Sequence, residues 1–102
     1  MRLTPDQIEQ IKQTTHHCVD GVLTDWQLWL FGSRMNDDAK GGDVDLCLLS
    51  PDSVQALLTL KLKLRSAIED VLDIPVDLVT QSTQQSIKLV TQQVMQTGIR
   101  LI

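Results

Sequence analysis

Apolar residues recur with two different periods along this chain, and the switches between them mark its elements. Thr4-Pro5-Asp6-Gln7 reads as a helix start, with Thr4 as N-cap, Pro5 in the first helical position and Gln7 completing a capping box. Ile8, Ile11, Thr15, Cys18, Val19 and Val22 follow at helical spacing, and Gly21 marks the end of that helix. A turn at Thr24-Asp25 feeds an apolar strand from Trp26 to Phe31. Residues 32–42 form a polar loop, with a helical turn expected around Asn36 to Ala39, and Asp43 to Leu49 is the second strand. Ser50 as cap and Pro51 in the first position then predict a helix to about Leu72. Its apolar face is Val54, Leu57, Leu58, Leu64, Ile68, Val71 and Leu72. Leu60 and Leu62 fall partly off that stripe, and either packing under the sheet or a second contact surface is open to them. Pro75 opens a third strand, Val76 to Thr80. Ser82-Thr83-Gln84-Gln85 starts a last helix to about Thr97, Gly98 stops it, and Ile99 to Ile102 forms a short strand. Helices and strands alternating in this order predict an α/β (α+β) fold, a mixed β-sheet with flanking helices.

The segment between the first two strands carries the candidate chemistry. Gly32-Ser33 ends one apolar run, and Asp43-Val44-Asp45 opens the next after a spacer of nine residues. Alternate residues of a strand share a face, so Asp43 and Asp45 project together, ~6.5–7 Å apart at Cα. Two adjacent carboxylates repel one another and resist burial, and a divalent cation is the simplest partner that stabilises both. Hard oxygen ligands suit Mg²⁺ or Mn²⁺. The Gly-Ser turn can offer backbone N–H groups and a hydroxyl to a phosphate, so the two motifs together point to phosphoryl or nucleotidyl transfer. Each motif alone has a plainer reading: Gly-Ser is a common turn dipeptide, and paired aspartates often flank loops as exposed acids.

Gly32-Ser33, the nine-residue spacer and Asp43-x-Asp45, with a further strand aspartate at Asp77, resemble the signature of the DNA polymerase β-type nucleotidyltransferase superfamily. The small size is similar to its minimal nucleotidyltransferase (MNT) branch. The resemblance implies a nucleotidyltransferase fold in which Asp43, Asp45 and Asp77 hold two Mg²⁺ ions. It makes Asp77 the residue that draws the proton from an acceptor hydroxyl, and gives Gly32 and Ser33 the β- and γ-phosphates of a nucleoside triphosphate. Arg34 could touch a phosphate oxygen or pair with Asp37 or Asp38. Without metal, Asp77 reads as a sheet-edge aspartate facing water. The chain departs from the commoner Gly-Ser-Arg-Ala-Arg-Gly pattern: its loop reads Met35-Asn36-Asp37-Asp38, and Gly42 stands where many relatives have Ser. Two added acids weaken attraction for a triphosphate. Metal and nucleotide binding rest on the retained residues more directly than turnover does.

With 102 residues the expectation is a single domain spanning 1–102. No apolar run approaches the ~20 residues of a membrane helix, and the N-terminus lacks a hydrophobic signal region, so a cytoplasmic location is expected. Cys18 and Cys47 sit in apolar surroundings and read as buried free thiols, with a disulfide the lesser alternative. Net charge is −4, and the densest basic group is Lys61, Lys63 and Arg65 on a helix, which argues against direct nucleic-acid binding. His16, His17, Cys18 and Asp20 do not repeat the spacing of a zinc site. Trp26 and Trp29 read as core or interface residues.

The expected activity is therefore Mg²⁺-dependent transfer of NMP from an NTP, with ATP the expected donor, to a hydroxyl. By resemblance, MNT proteins pair with a small helical HEPN protein as a toxin–antitoxin system, so the acceptor is expected on such a partner. A second copy of the chain could instead complete the site. The alternative is a catalytically weak or inactive module that neutralises a partner by contact. A third reading, a nucleic-acid-processing subunit, requires a basic partner chain.

Overall fold

The computed structural model describes residues 3–32 and 43–102. Thr4 caps the first helix, α1 (Pro5–Val19), through both bonds of the expected box: the Gln7 N–H donates to Thr4 Oγ1 at 3.1 Å, and the Thr4 N–H donates to Gln7 Oε1 at 2.9 Å. Ile11, Thr15, Cys18 and Val19 are its buried face, and Gly21 lies just beyond its end at φ +82°. Val22 continues the helical spacing on paper but lies past that end and is 58% exposed.

Strands β1 (Gln27–Phe31), β2 (Val44–Ser50), β3 (Val76–Ser82) and β4 (Ile99–Arg100) form one sheet in the order β3-β2-β1-β4. β1 runs antiparallel to β2 and β4, whereas β2 and β3 are parallel. A parallel pair requires a long crossover, and the 19-residue helix α2 (Val54–Leu72) supplies it. The mixed sheet agrees with the expected fold class. β2 begins at Val44, so Asp43 stands immediately before the strand and not within it, as the sequence pattern suggested.

Strand alternation separates two cores. Leu28, Leu30, Val44, Leu46, Leu48, Val76 and Leu78 face α1 and α2, against Ile11, Cys18, Val19, Leu57, Leu60, Leu64 and Ile68. The opposite face buries Cys47, Leu49 and Val94, with Trp29, Phe31 and Val79 packed around them, beneath the short helix α3 (Leu89–Thr97). Most of the hydrophobic stabilisation lies on the first face, at about 1.5–3 kcal/mol for each fully buried aliphatic side chain.

Tertiary contacts redrew several boundaries. The cap of α2 is Ser53, whose hydroxyl accepts from the Ala56 N–H at 3.2 Å; Ser50 is instead the last, fully buried residue of β2. Its hydroxyl is engaged elsewhere, donating to the Asp52 carboxylate at 2.5 Å. The buried face of α2 is Leu57, Leu60, Leu64, Ile68 and Leu72. Leu60 therefore belongs to the core, while Val54, Leu58 and Val71 are exposed, as is Leu62 at 66%. Ser82 and Thr83 do not open the last helix. Ser82 completes β3, and the Thr83 N–H extends the ladder to the Ser50 carbonyl at 2.9 Å. The buried Gln81 side chain then accepts from the Lys88 N–H at 3.0 Å, holding back the helix start to Leu89. Gly98 ends α3 as expected, donating its N–H to the Val94 carbonyl at 2.6 Å. The expected turn at residues 36–39 lies outside the described residues.

Candidate functional site

Because β1 runs against both β2 and β3, its C-terminal end meets the N-terminal ends of those two strands. Phe31, Asp45 and Asp77 form one row across the sheet there: Asp45 is register-paired with Phe31 on one side and with Asp77 on the other. They share the face that carries Cys47 and Val79, and α3 covers that face through Val94 beside Cys47 and Leu49. Asp45 is half-buried and Asp77 exposed. Asp43 is exposed two positions upstream of Asp45, fixed by the neighbouring Val44 N–H, which donates to the Pro75 carbonyl at 2.9 Å.

Gly32 follows Phe31 directly, at φ +79°. That left-handed conformation costs an L-residue ~1–2 kcal/mol. A Cβ at Gly32 would also collide with the Asp45 carboxylate, its Oδ2 above all. Glycine is thus required here twice, once by the backbone and once by the acid it faces. Ser33 and Arg34, the other expected phosphate contacts, lie outside the described residues.

Neighbouring strands lie ~4.8 Å apart, so the register holds Asp45 and Asp77 close enough for mutual repulsion, which a hard divalent cation would relieve. The donor set fits such an ion in kind: all three candidates are carboxylates, Asp43 just before β2, Asp45 on β2 and Asp77 on β3, at one end of the sheet. As the side chains stand, no group of three or more His, Cys, Asp or Glu residues among the described residues is gathered around a common point.

Cys47 follows two residues after Asp45 and is fully buried. Burial pushes its thiol pKa up, against smaller downward effects from Thr91 and Lys88, so the thiol is neutral at physiological pH and serves packing. Cys18 is likewise buried and free. His16 Nδ1 lies 2.9 Å from Asp20, and the imidazole meets the Trp26 ring edge-on at 5.1 Å. Trp26 packs against the main core and Trp29 against the smaller one.

Sequence reasoning did not register two features. Phe31 is the lateral neighbour of Asp45, a position its place next to Gly32 could have indicated. At the opposite end of the sheet, Asp52 ties three segments together. Its carboxylate accepts from the Thr24 N–H at 2.7 Å, the Thr24 hydroxyl at 3.1 Å and the Ser50 hydroxyl, while its carbonyl accepts from the Ser82 hydroxyl at 2.7 Å. The bonds to the carboxylate, Ser50 first and then Thr24, hold the Asp52 carboxyl below the usual value. No sequence pattern marks residues paired at such separations.

The family described as polymerase beta, nucleotidyltransferase matches residues 26–102, which takes in Gly32, all three aspartates and the whole sheet. The chain belongs to that family. Its nucleotidyltransferase domain is similar to the crystal structure of the toxin–antitoxin MntA–HepT, with 21% identity over 97% of this chain and 72% of that one, and a TM-score of 0.69. A mutant of that complex with two aspartate-to-glutamate changes aligns with a TM-score of 0.72, at 21% identity over 93% and 72%. A structure of a tri-AMPylated Shewanella oneidensis HEPN toxin in complex with MNT antitoxin gives a TM-score of 0.61, at 20% identity over 93% and 71%. At these identities the likeness is one of fold. No curated protein matches the chain. Among the described residues, no helix is long and apolar enough to cross a membrane.

Proposed function

We propose that this nucleotidyltransferase domain moves AMP from ATP to a hydroxyl of a helical HEPN-type toxin, in the cytoplasm, and so acts as its antitoxin. The observation that carries the reading is the register pairing of Asp45 with Asp77 beside Gly32, at the end of the sheet where the family motif falls. The tri-AMPylated toxin among the structural neighbours supports AMP as the group transferred and a protein as the acceptor. Asp43, Asp45 and Asp77 would hold Mg²⁺, which neutralises triphosphate charge and favours the alkoxide form of the acceptor. The acceptor oxygen forms a bond to the α-phosphorus, the bond from that phosphorus to the bridging oxygen breaks, and pyrophosphate leaves. Asp77, exposed at the sheet edge, takes the acceptor's proton. Gly32 lets the backbone approach the phosphates, with Ser33 and Arg34 assigned to the same task by the motif.

The test is incubation with Mg²⁺ and α-labelled ATP in an extract of the source cells, beside an Asp45→Asn control. Label entering a protein only with the wild-type chain supports transfer. No difference with any of the four nucleotides, with the partner confirmed present, overturns it. A second reading, neutralisation by contact alone, draws on the ungathered carboxylates and the acidic loop sequence, and that negative result would leave it standing.

A further inference from the structure

The leucine at position 62 has no role in the core or in the site, yet it belongs to an ordered surface. Val54, Leu58 and Leu62 recur every four residues along α2 and are 40%, 50% and 66% exposed. At 3.6 residues per turn they share roughly a 100° arc with Lys61 and Arg65. The N-terminal end of this stripe opens into a cavity of about 270 Å³, walled by Val54 and Leu58, by Thr80 on β3 and by Lys88, whose Nζ donates to the Thr80 carbonyl at 2.9 Å. Glu69 closes the other end, accepting from the Val76 N–H at 2.8 Å, with its carboxylate 3.7 Å from Arg65.

We infer that this face of α2 is a docking surface for an acidic amphipathic helix of a partner protein. Apolar positions at successive turns form a ridge that packs against the groove of a second helix, and the cavity takes one anchoring side chain. Charge selects the occupant. The stripe is flanked by Lys61, Arg65 and Lys88 against one acid, Glu69, which lies beside Arg65, so the face keeps a net positive charge in a chain whose net charge is −4 and complements acidic flanks on the incoming helix. A second copy of the chain fits poorly, because a two-fold contact through this stripe would bring two faces of the same net positive charge together. The inference rests on the stripe and cavity alone and stands apart from the chemistry at Asp45.

The test measures fluorescence anisotropy of two labelled, helix-stapled peptides against the whole chain. Both carry leucine at heptad spacing; one has glutamate flanks and the other lysine flanks. The glutamate peptide should bind at least tenfold more tightly than the lysine peptide at low salt. Leu58→Glu/Leu62→Glu, and separately Lys61→Glu/Arg65→Glu, should each weaken it at least tenfold with thermal unfolding unchanged. Equal binding of the two peptides, no binding of either, or indifference to both double variants overturns the inference. So does sedimentation of the wild type as a dimer that Leu58→Glu/Leu62→Glu dissociates, which assigns the face to a second copy. Tighter binding to phosphatidylglycerol vesicles than to the glutamate peptide assigns it to a membrane surface and overturns it equally.

Discussion

Asp45 and Asp77 are directly opposed on the parallel strands β2 and β3, 32 positions apart in sequence and nearest neighbours across the sheet. The pair offers a divalent cation two oxygen-ligand groups at one end of the sheet. With saturating Mg²⁺ at 100 times its dissociation constant, the wild type should gain ~2.7 kcal/mol. Asp45→Asn should lose that gain. Thermal denaturation of both proteins in Mg²⁺ and in EDTA checks it, and an equal rise in the variant would show that the ion binds elsewhere.

Gly32 and Gly21 make a matched pair, with φ +79° and +82°. A Cβ on Gly21 meets nothing within 4 Å, whereas one on Gly32 meets the Asp45 carboxylate. Gly21→Ala should therefore cost only the backbone term, ~1 kcal/mol, and leave labelled-AMP transfer intact. Gly32→Ala should cost at least as much and reduce transfer at least a hundredfold, because Asp45 must move. Urea denaturation beside the transfer assay separates the two effects.

At acid pH, Asp52 should govern part of the stability profile. Its folded pKa lies below the ordinary 3.8, so its contribution is fully present above that value and is lost as pH falls through the lower folded one. Asp52→Asn should be less stable than wild type at neutral pH, and the gap should narrow as pH is taken below 3.8. Urea midpoints across that range read the effect. A gap that widens on acidification would mean that the Thr24 and Ser50 bonds do not favour the ionised carboxylate.

Leu64→Ala should cost 2–5 kcal/mol, since Leu64 is fully buried between α2 and the sheet. Leu62→Ala, two residues away on the opposite side of the helix, should change stability by less than ~0.5 kcal/mol. Chemical denaturation of the two variants distinguishes them.

What the sequence disclosed was what local chemistry decides. Thr4, Pro5 and Gln7 define a helix start among themselves, and Gly98 ends one without distant help. Ser50-Pro51-Asp52-Ser53 offers two serines, either able to cap, and the choice falls to Ser53 because Thr24 and Asp52 draw Ser50 into the end of the sheet. The pattern sets Leu58 on the apolar face of α2 and Leu60 partly off it, and packing against β3 and α1 reverses the two, burying Leu60 and leaving Leu58 exposed. At the site, Asp45 and Gly32 were legible as neighbouring motifs, and Asp77 through its strand. The register that sets Asp77 beside Asp45 was not, because it depends on how α2 returns the chain to the sheet.

That return has a kinetic consequence. The β1–β2 pairing closes a shorter separation than the β2–β3 pairing, which spans the whole of α2 and carries the larger loop-closure cost, so β3 is expected to join the sheet last. Until then Asp77 is remote from Asp45, and the chain lacks the paired carboxylates that would grip a cation. Metal binding should therefore appear in the last phase of refolding, after most helical signal has returned. A newly made chain would stay unreactive toward nucleotide until its fold is complete.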